Sequence, residues 1–308
     1  MSDFNGPKEL LDAYRSGFEG SVCDPEETAE LLAELKTPLF GATAYGLYGS
    51  GEGKLSAPFK SLLKFDPNFG PSERQTTGDC VSHSTRNAVD ITRAVEIDIK
   101  GESESFEARG ATEGIYQSRG HKRQGMTCSG AAKYVHSLGG ILLRKDYKHV
   151  DLSKYNSTLG AKHQLPFDVY IKEASKHKVR TISLITTIEE ARDALANGYA
   201  ISVCSGYGFS SRRDANGVAK RGSGWNHAMA WIACDDTRKR FRETLFLVQN
   251  SWGKWNSGPR VHGQPEGSFW IREKDARGML AQQGSWVFSD VDGFPARNLP
   301  DYGTATYL

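Results

Sequence analysis

The sequence predicts an α+β protein with two unlike lobes, and two observations carry the prediction. Between residues 24 and 138, apolar residues recur at threes and fours behind helix-start signals; from 199 to 271 they gather in short runs between Gly- and Asn-rich turns. Helices first and strands later segregate the two kinds of structure instead of alternating them. The 308 residues suffice for a sizeable core without disulfides or metals.

In chain order, Leu10, Leu11, Tyr14 and Phe18 predict a first helix. Asp24-Pro25-Glu26-Glu27 opens a second, with a capping side chain, a proline at the first helical position and acids in the first turn. Leu31, Leu32 and Leu35 supply its apolar face. Gly41, Gly46, Gly49, Gly51 and Gly53 are too dense for a regular element and predict an irregular arm, with a boundary near residue 55. Val81, Thr85, Ala88, Thr92 and Val95 predict a long helix with Cys80 in its first turn. Further helices are expected over 129–138 and 166–177. Thr187-Ile188-Glu189-Glu190 is a capping box whose helix ends at Asn197-Gly198. Strands are expected over 199–204, 227–234, 245–250 and 268–271.

Composition removes several classes of function. Lys and Arg number 39 against 37 Asp and Glu, a net charge of +2, which gives no electrostatic reason to expect nucleic acid as a partner. No apolar run reaches the roughly 18 residues of a membrane span, and the first twenty residues lack the apolar stretch of a secretory signal, so the chain is expected to be cytoplasmic and not exported by a signal peptide. The five cysteines are an odd, widely spaced set without C-x-x-C or zinc-type spacing, which predicts a reduced compartment and no metal or other cofactor. The basic clusters at His121-Lys122-Arg123, Arg212-Arg213 and Arg238-Lys239-Arg240 read as solvated turns, and Tyr302 and Tyr307 as packing anchors.

Three segments carry the chemistry. In Gln75-Thr76-Thr77-Gly78-Asp79-Cys80-Val81-Ser82 a cysteine follows a glycine turn at a helix start, where the helix dipole favours thiolate. The Gln75 amide and the Cys80 backbone N–H are candidate donors to an oxyanion. His227 lies in Gly224-Trp225-Asn226-His227-Ala228-Met229, at the mouth of a strand. Asn250 ends another in Val248-Gln249-Asn250-Ser251-Trp252-Gly253, where Trp252 is placed to cover it. His227 follows Cys80 by 147 residues and Asn250 follows His227 by 23. His83, one turn past Cys80, reads as a packing or solvent residue.

With these motifs the chain resembles the papain-like cysteine peptidases, most in the style of the short bacterial and phage-encoded members. G-D-C-V-S resembles the nucleophile segment, N-H-A-M the histidine motif and N-S-W-G the asparagine motif, over about residues 70–275. Cys128-Ser129-Gly130 resembles the wall of the substrate cleft. The resemblance implies a catalytic domain over 56–275, its helical lobe about 70–178 and its barrel-like β lobe about 179–275, between extensions over 1–55 and 276–308. It implies a thioester mechanism with Cys80 as nucleophile, His227 as base, Asn250 orienting the imidazole, Gln75 as oxyanion donor, and Trp252, Cys128 and Gly130 along the cleft. Gln75 stands five residues before Cys80 where the family has six, Asp79 replaces a small neutral residue and Val81 an aromatic one. A second reading makes the chain a papain-fold structural or attachment component of a larger assembly, such as a phage particle, meeting neighbouring subunits through its extensions. A third, a cell-wall amidase or transglutaminase with the same triad order, has N-S-W-G against it.

Overall fold

The structure is a computed structural model that describes residues 6–10, 23–70, 73–100, 105–138, 140–166, 172–297 and 299–304. The expected first helix falls outside these residues beyond a 3-10 turn at Lys8–Leu10, and the helix expected over 166–177 lies partly outside them. Tyr307 is also outside.

In the first half, α1 (Pro25–Glu34) is capped by the Asp24 carboxylate, which accepts from the Glu27 backbone N–H at 3.0 Å. Leu31 is buried against the main core, and Leu32 and Leu35 pack at its edge. The glycine-rich arm begins with a short α2 (Phe40–Thr43) and a 3-10 turn at Tyr45–Leu47. Glycine suits it to a docked loop: the backbone N–H groups of Gly49 and Gly51 donate to the Asp193 carboxylate at 2.8 and 3.0 Å. Next come β1 (Leu55–Ser56), α3 (Phe59–Phe65), the long α4 (Cys80–Lys100), α5 (Thr112–Gln117), α6 (Cys128–Ser137), a hairpin of β2 (Asp146–Tyr147) and β3 (Val150–Asp151), and α7 (Ser157–Ala161).

The second half is one antiparallel sheet, with α8 (Ile188–Ala196) and α9 (Glu273–Leu280) on one face. Its strands are β4 (Thr181–Leu184), β5 (Ile201–Arg213), β6 (Ala219–Asp235), β7 (Leu245–Gln249), β8 (Ser268–Arg272) and β9 (Ser285–Ser289), ordered β4-β9-β5-β6-β7-β8, with β1 on β6. Because β9 lies inside the sheet, the fold runs past residue 275, where the sequence suggested an extension. Phe294 beyond it is buried, as is Leu31, so both serve this chain's own core.

Strand alternation divides the core in two. Leu245 and Leu247 of β7 face α4, while Phe246 and Val248 face α8 and α9. The stripe of α4, Val81, Thr85, Ala88, Thr92 and Val95, is buried throughout. It docks where the chain leaves α8: Gly198 has φ +82°, and a Cβ there would lie 2.4 Å from Val95 Cγ1, so only glycine meets both demands. Arg213 departs from its expected place in a solvated turn. It is buried and donates to Asn256, Pro259, Gly258 and Ser268 oxygens, fastening the long loop between Asn250 and β8.

The cysteines also depart from expectation. Cys128 at the start of α6 and Cys204 in β5 form a disulfide, 76 residues apart in sequence with Cα atoms 6.2 Å apart. The expectation of a wholly reduced protein is corrected here; two residues without zinc or C-x-x-C spacing become partners only when the helical lobe packs on the sheet.

Candidate active site

Cys80 begins α4, and the segment before it is tied to the segment after β7. The Gln75 backbone N–H donates to the Ser251 carbonyl at 2.9 Å, and the Ser251 hydroxyl donates to Gln75 Oε1. These bonds bring Cys80 and Asn250, 170 residues apart in sequence, to one place. Gly78 permits the turn between them, since a Cβ there would lie 2.7 Å from Gln124 Oε1, the atom that accepts its backbone N–H.

His227 lies in β6, and the backbone N–H of its neighbour Ala228 reaches the Cys80 sulfur. His227 Nε2 lies 2.9 Å from Asn250 Oδ1, which also accepts the Ser251 backbone N–H at 2.7 Å. An amide oxygen accepts only, so Nε2 carries the proton and Nδ1 the lone pair. Trp252 stacks on the imidazole, centroids 4.5 Å apart and planes at 28°, and Trp225 and Trp255 pack on Trp252 at 4.7 and 5.0 Å. Trp252 is thus a buried cover over His227 and not a wall open to solvent.

Burial dominates the site's protonation. Cys80 is 1% exposed and His227 4%. Desolvation, with a smaller contribution from the neighbouring Asp79 carboxylate, pushes the thiol up to about 12 against the hydrogen bond from Ala228. Desolvation likewise takes the imidazole down to about 4, with Asn250 opposing and His83 adding to the shift.

The remaining expected residues sit differently. Gln75 is buried and donates one Nε2–H to the Thr77 carbonyl at 2.8 Å, which leaves one N–H of its amide for another acceptor. Cys128 is in the disulfide. Gly130 sits under α1: its N–H donates to the Thr127 hydroxyl at 3.1 Å, and that hydroxyl donates to Glu27 at 2.6 Å. The sequence reading missed how Asp79 and His83 lie side by side in the interior; their i,i+4 spacing across the start of α4 was the available signal. Among the described residues no cluster of His, Cys, Asp and Glu is arranged to hold a metal ion, and no helix is long and apolar enough to cross a membrane.

Neither a protein-family model nor a curated protein matches this sequence. Solved structures do resemble it. Xylellain, a cysteine protease from Xylella fastidiosa, has a TM-score of 0.53 at 18% identity over 89% of this chain and 92% of that one. Digestive procathepsin L 3 of Tenebrio molitor larval midgut has 0.44 at 12% identity over 85% and 79%. The bromelain protease of Ananas comosus, in complex with the E64 inhibitor, has 0.44 at 13% identity over 73% and 95%. The chain has the two-lobed α+β fold of the papain-like cysteine proteases.

Proposed function

We propose that the chain is a cysteine peptidase, or a closely related amide hydrolase, that cleaves peptide bonds through Cys80, His227 and Asn250. The observation that carries this reading is the 2.9 Å contact of His227 Nε2 with Asn250 Oδ1 beneath the stacked Trp252, in the strand whose next backbone N–H touches the Cys80 sulfur. Asn250 fixes the ring and its tautomer, so Nδ1 is the base. As the sulfur adds to the substrate carbonyl, Nδ1 takes the thiol proton. It returns that proton to the leaving amine as the carbon–nitrogen bond breaks, and water then hydrolyses the thioester with the same ring as base. The Cys80 backbone N–H and the uncommitted N–H of Gln75 are the donors for the oxyanion. The catalytic unit comprises both lobes together with β9, and its substrate is a peptide or protein segment.

Iodoacetamide labelling read by peptide mapping tests the nucleophile, and hydrolysis of a generic peptide library tests the reaction. Cys80 should label in a His227-dependent way, and Cys80→Ala should abolish hydrolysis. Hydrolysis that survives Cys80→Ala sinks the proposal. A second reading, an inactive papain-fold component of a larger assembly, is favoured by the burial of the thiol and by Tyr45 and Tyr48 on the arm, 80% and 77% exposed. It predicts no hydrolysis in either protein and self-association that Tyr45→Ser with Tyr48→Ser removes.

A further inference from the structure

Three of the five cysteines meet at one place, and the steps above use none of them. Cys128 and Cys204 are bonded to each other, and Cys23 is a thiol whose sulfur donates to the Cys204 carbonyl at 3.2 Å. Gly284 makes room for this approach. A Cβ there would lie 2.6 Å from Cys23 Sγ and 3.1 Å from Cys204 Cβ, so the thiol stands on the face of the sheet from which the Cys204 side chain rises.

The position is held from the helical side as well. Cys23 stands two residues before α1, and α1 is seated on the start of α6. The Thr127 hydroxyl donates to Glu27 at 2.6 Å, Lys133 pairs with Glu34 at 2.8 Å, and a Cβ on Gly130 would come within 2.8 Å of Glu27 Oε1. Cys23 is thereby kept over the seam that the disulfide closes. The two ends of that disulfide differ. Cys128 is the first residue of α6, where the helix dipole favours a thiolate, and the Ser202 hydroxyl lies 3.9 Å from its sulfur. Cys128 is therefore the better leaving group, and Cys204 is the residue that Cys23 touches.

We propose that these three residues form a thiol–disulfide exchange site, in which Cys23 attacks the Cys204 sulfur and moves the covalent link from the seam between the lobes to the segment that carries α1. Cys23 gives its proton to water, its sulfur bonds to Cys204 Sγ, and the Cys128–Cys204 bond breaks. Cys128 leaves with the electron pair and takes a proton from water. One disulfide and one thiol stand on each side of the step, so no oxidant or reductant is consumed. In the product the helical lobe is no longer bonded to the sheet through Cys128, and Cys23 is fixed to the strand beside Cys80: Cys204 pairs across the register with Ala228, whose backbone N–H reaches the Cys80 sulfur.

The test is disulfide mapping of the full chain without reductant. Burial pushes the Cys23 thiol up to about 11, so exchange is slow near neutrality. The protein is therefore held at about pH 9 with iodoacetamide, which traps each released Cys128, then quenched and digested in acid. Wild type should accumulate a Cys23–Cys204 disulfide together with alkylated Cys128. Cys23→Ser should keep Cys128–Cys204 and alkylate Cys128 at least about tenfold more slowly, and Cys80→Ala should exchange as wild type does. Four results overturn the proposal: a wild-type protein that keeps Cys128–Cys204 throughout, Cys128 alkylation equally fast in Cys23→Ser, a Cys23–Cys128 disulfide with Cys204 alkylated, or exchange that is lost in Cys80→Ala.

Discussion

Behind Cys80 the wall is charged. Arg144 pairs with Glu73 at 2.7 Å and with Glu113, Arg109 pairs with Asp90 at 2.6 Å and Asp66 at 3.0 Å, and nearly all of these groups lie inside the helical lobe. Behind His227 the wall is aromatic: Trp225, Trp252 and Trp255 enclose a ring with one polar partner, Asn250. The difference teaches that the two sides serve the same site by different physics. Paired charges place groups rigidly and keep fixed fields near the sulfur, at the cost of desolvating every ion. Stacked indoles bring no net charge, but they exclude water and so weigh on how readily the imidazole takes a proton.

The largest effect is expected on the charged side. Arg144→Ala leaves Glu73 and Glu113 buried without their common partner and should destabilise the fold by about 3–5 kcal/mol, read as a lower urea midpoint. A loss below about 1 kcal/mol would mean that water already screens this network, and the contrast between the walls would fall.

The disulfide is the covalent seam between the helical lobe and the sheet. By the chain-entropy account, closing a loop of this length contributes about 4 kcal/mol, so dithiothreitol should shift the urea midpoint strongly in wild type and leave a Cys128→Ala, Cys204→Ala protein unaffected. If reduction changes nothing in wild type, the two thiols are unpaired in solution and the sequence-based expectation of a reduced protein holds.

Acid should separate the two sides in pH. Burial holds His227 at about 4, and burial also holds His177 at about 4. A depressed histidine contributes stability that is complete above the unfolded value near 6.5 and is lost as pH falls toward 4, up to about 3 kcal/mol for each ring. Glu73 is held below the usual carboxylate range, where the pull of Arg86 and Arg144 outweighs burial, so its contribution is lost only at still lower pH. Unfolding free energies measured from pH 7 to 3 should therefore show a first decline of about two protons, halved in His177→Gln. One continuous decline centred below pH 4 would refute the dry environment of His227.

Sequence legibility divides along local and non-local lines. The Asp24 cap and the Thr187–Glu190 capping box were readable because side chain and backbone partner lie within one turn, and α4 because its buried stripe recurs at threes and fours. N-S-W-G was readable because Asn250 and Trp252 both act on His227 from one short segment. The central place of β9 was not, since its partners in β4 and β5 lie 82 to 108 positions earlier and nothing local marks an inner strand. Nor was the link of Gln75 to Ser251, or the pairing of Cys128 with Cys204: such partners are fixed only when the lobes meet. Arg213 misled for the same reason, its five acceptor oxygens all lying in segments more than forty residues away.

The smallest expected effect sharpens the aromatic side. Trp252→Phe keeps a ring over His227 but removes part of the area that stacks at 4.5 Å, so the fold should lose only about 1 kcal/mol. Its informative consequence is electrostatic. Desolvation is the main reason the imidazole sits at about 4, so water admitted at the trimmed edge should raise the His227 titration toward the ordinary 6.5 by less than one unit. A looser ring also orients less well, so kcat/KM on a peptide substrate should fall by less than tenfold. Asn250→Ala acts on the same ring from its other side and has the opposite sign in the titration, because its carbonyl favours the protonated form. NMR of the His227 ring in the two variants thus separates shielding from orientation: equal shifts in one direction would mean that Trp252 serves as a packing residue and that Asn250 alone sets the base.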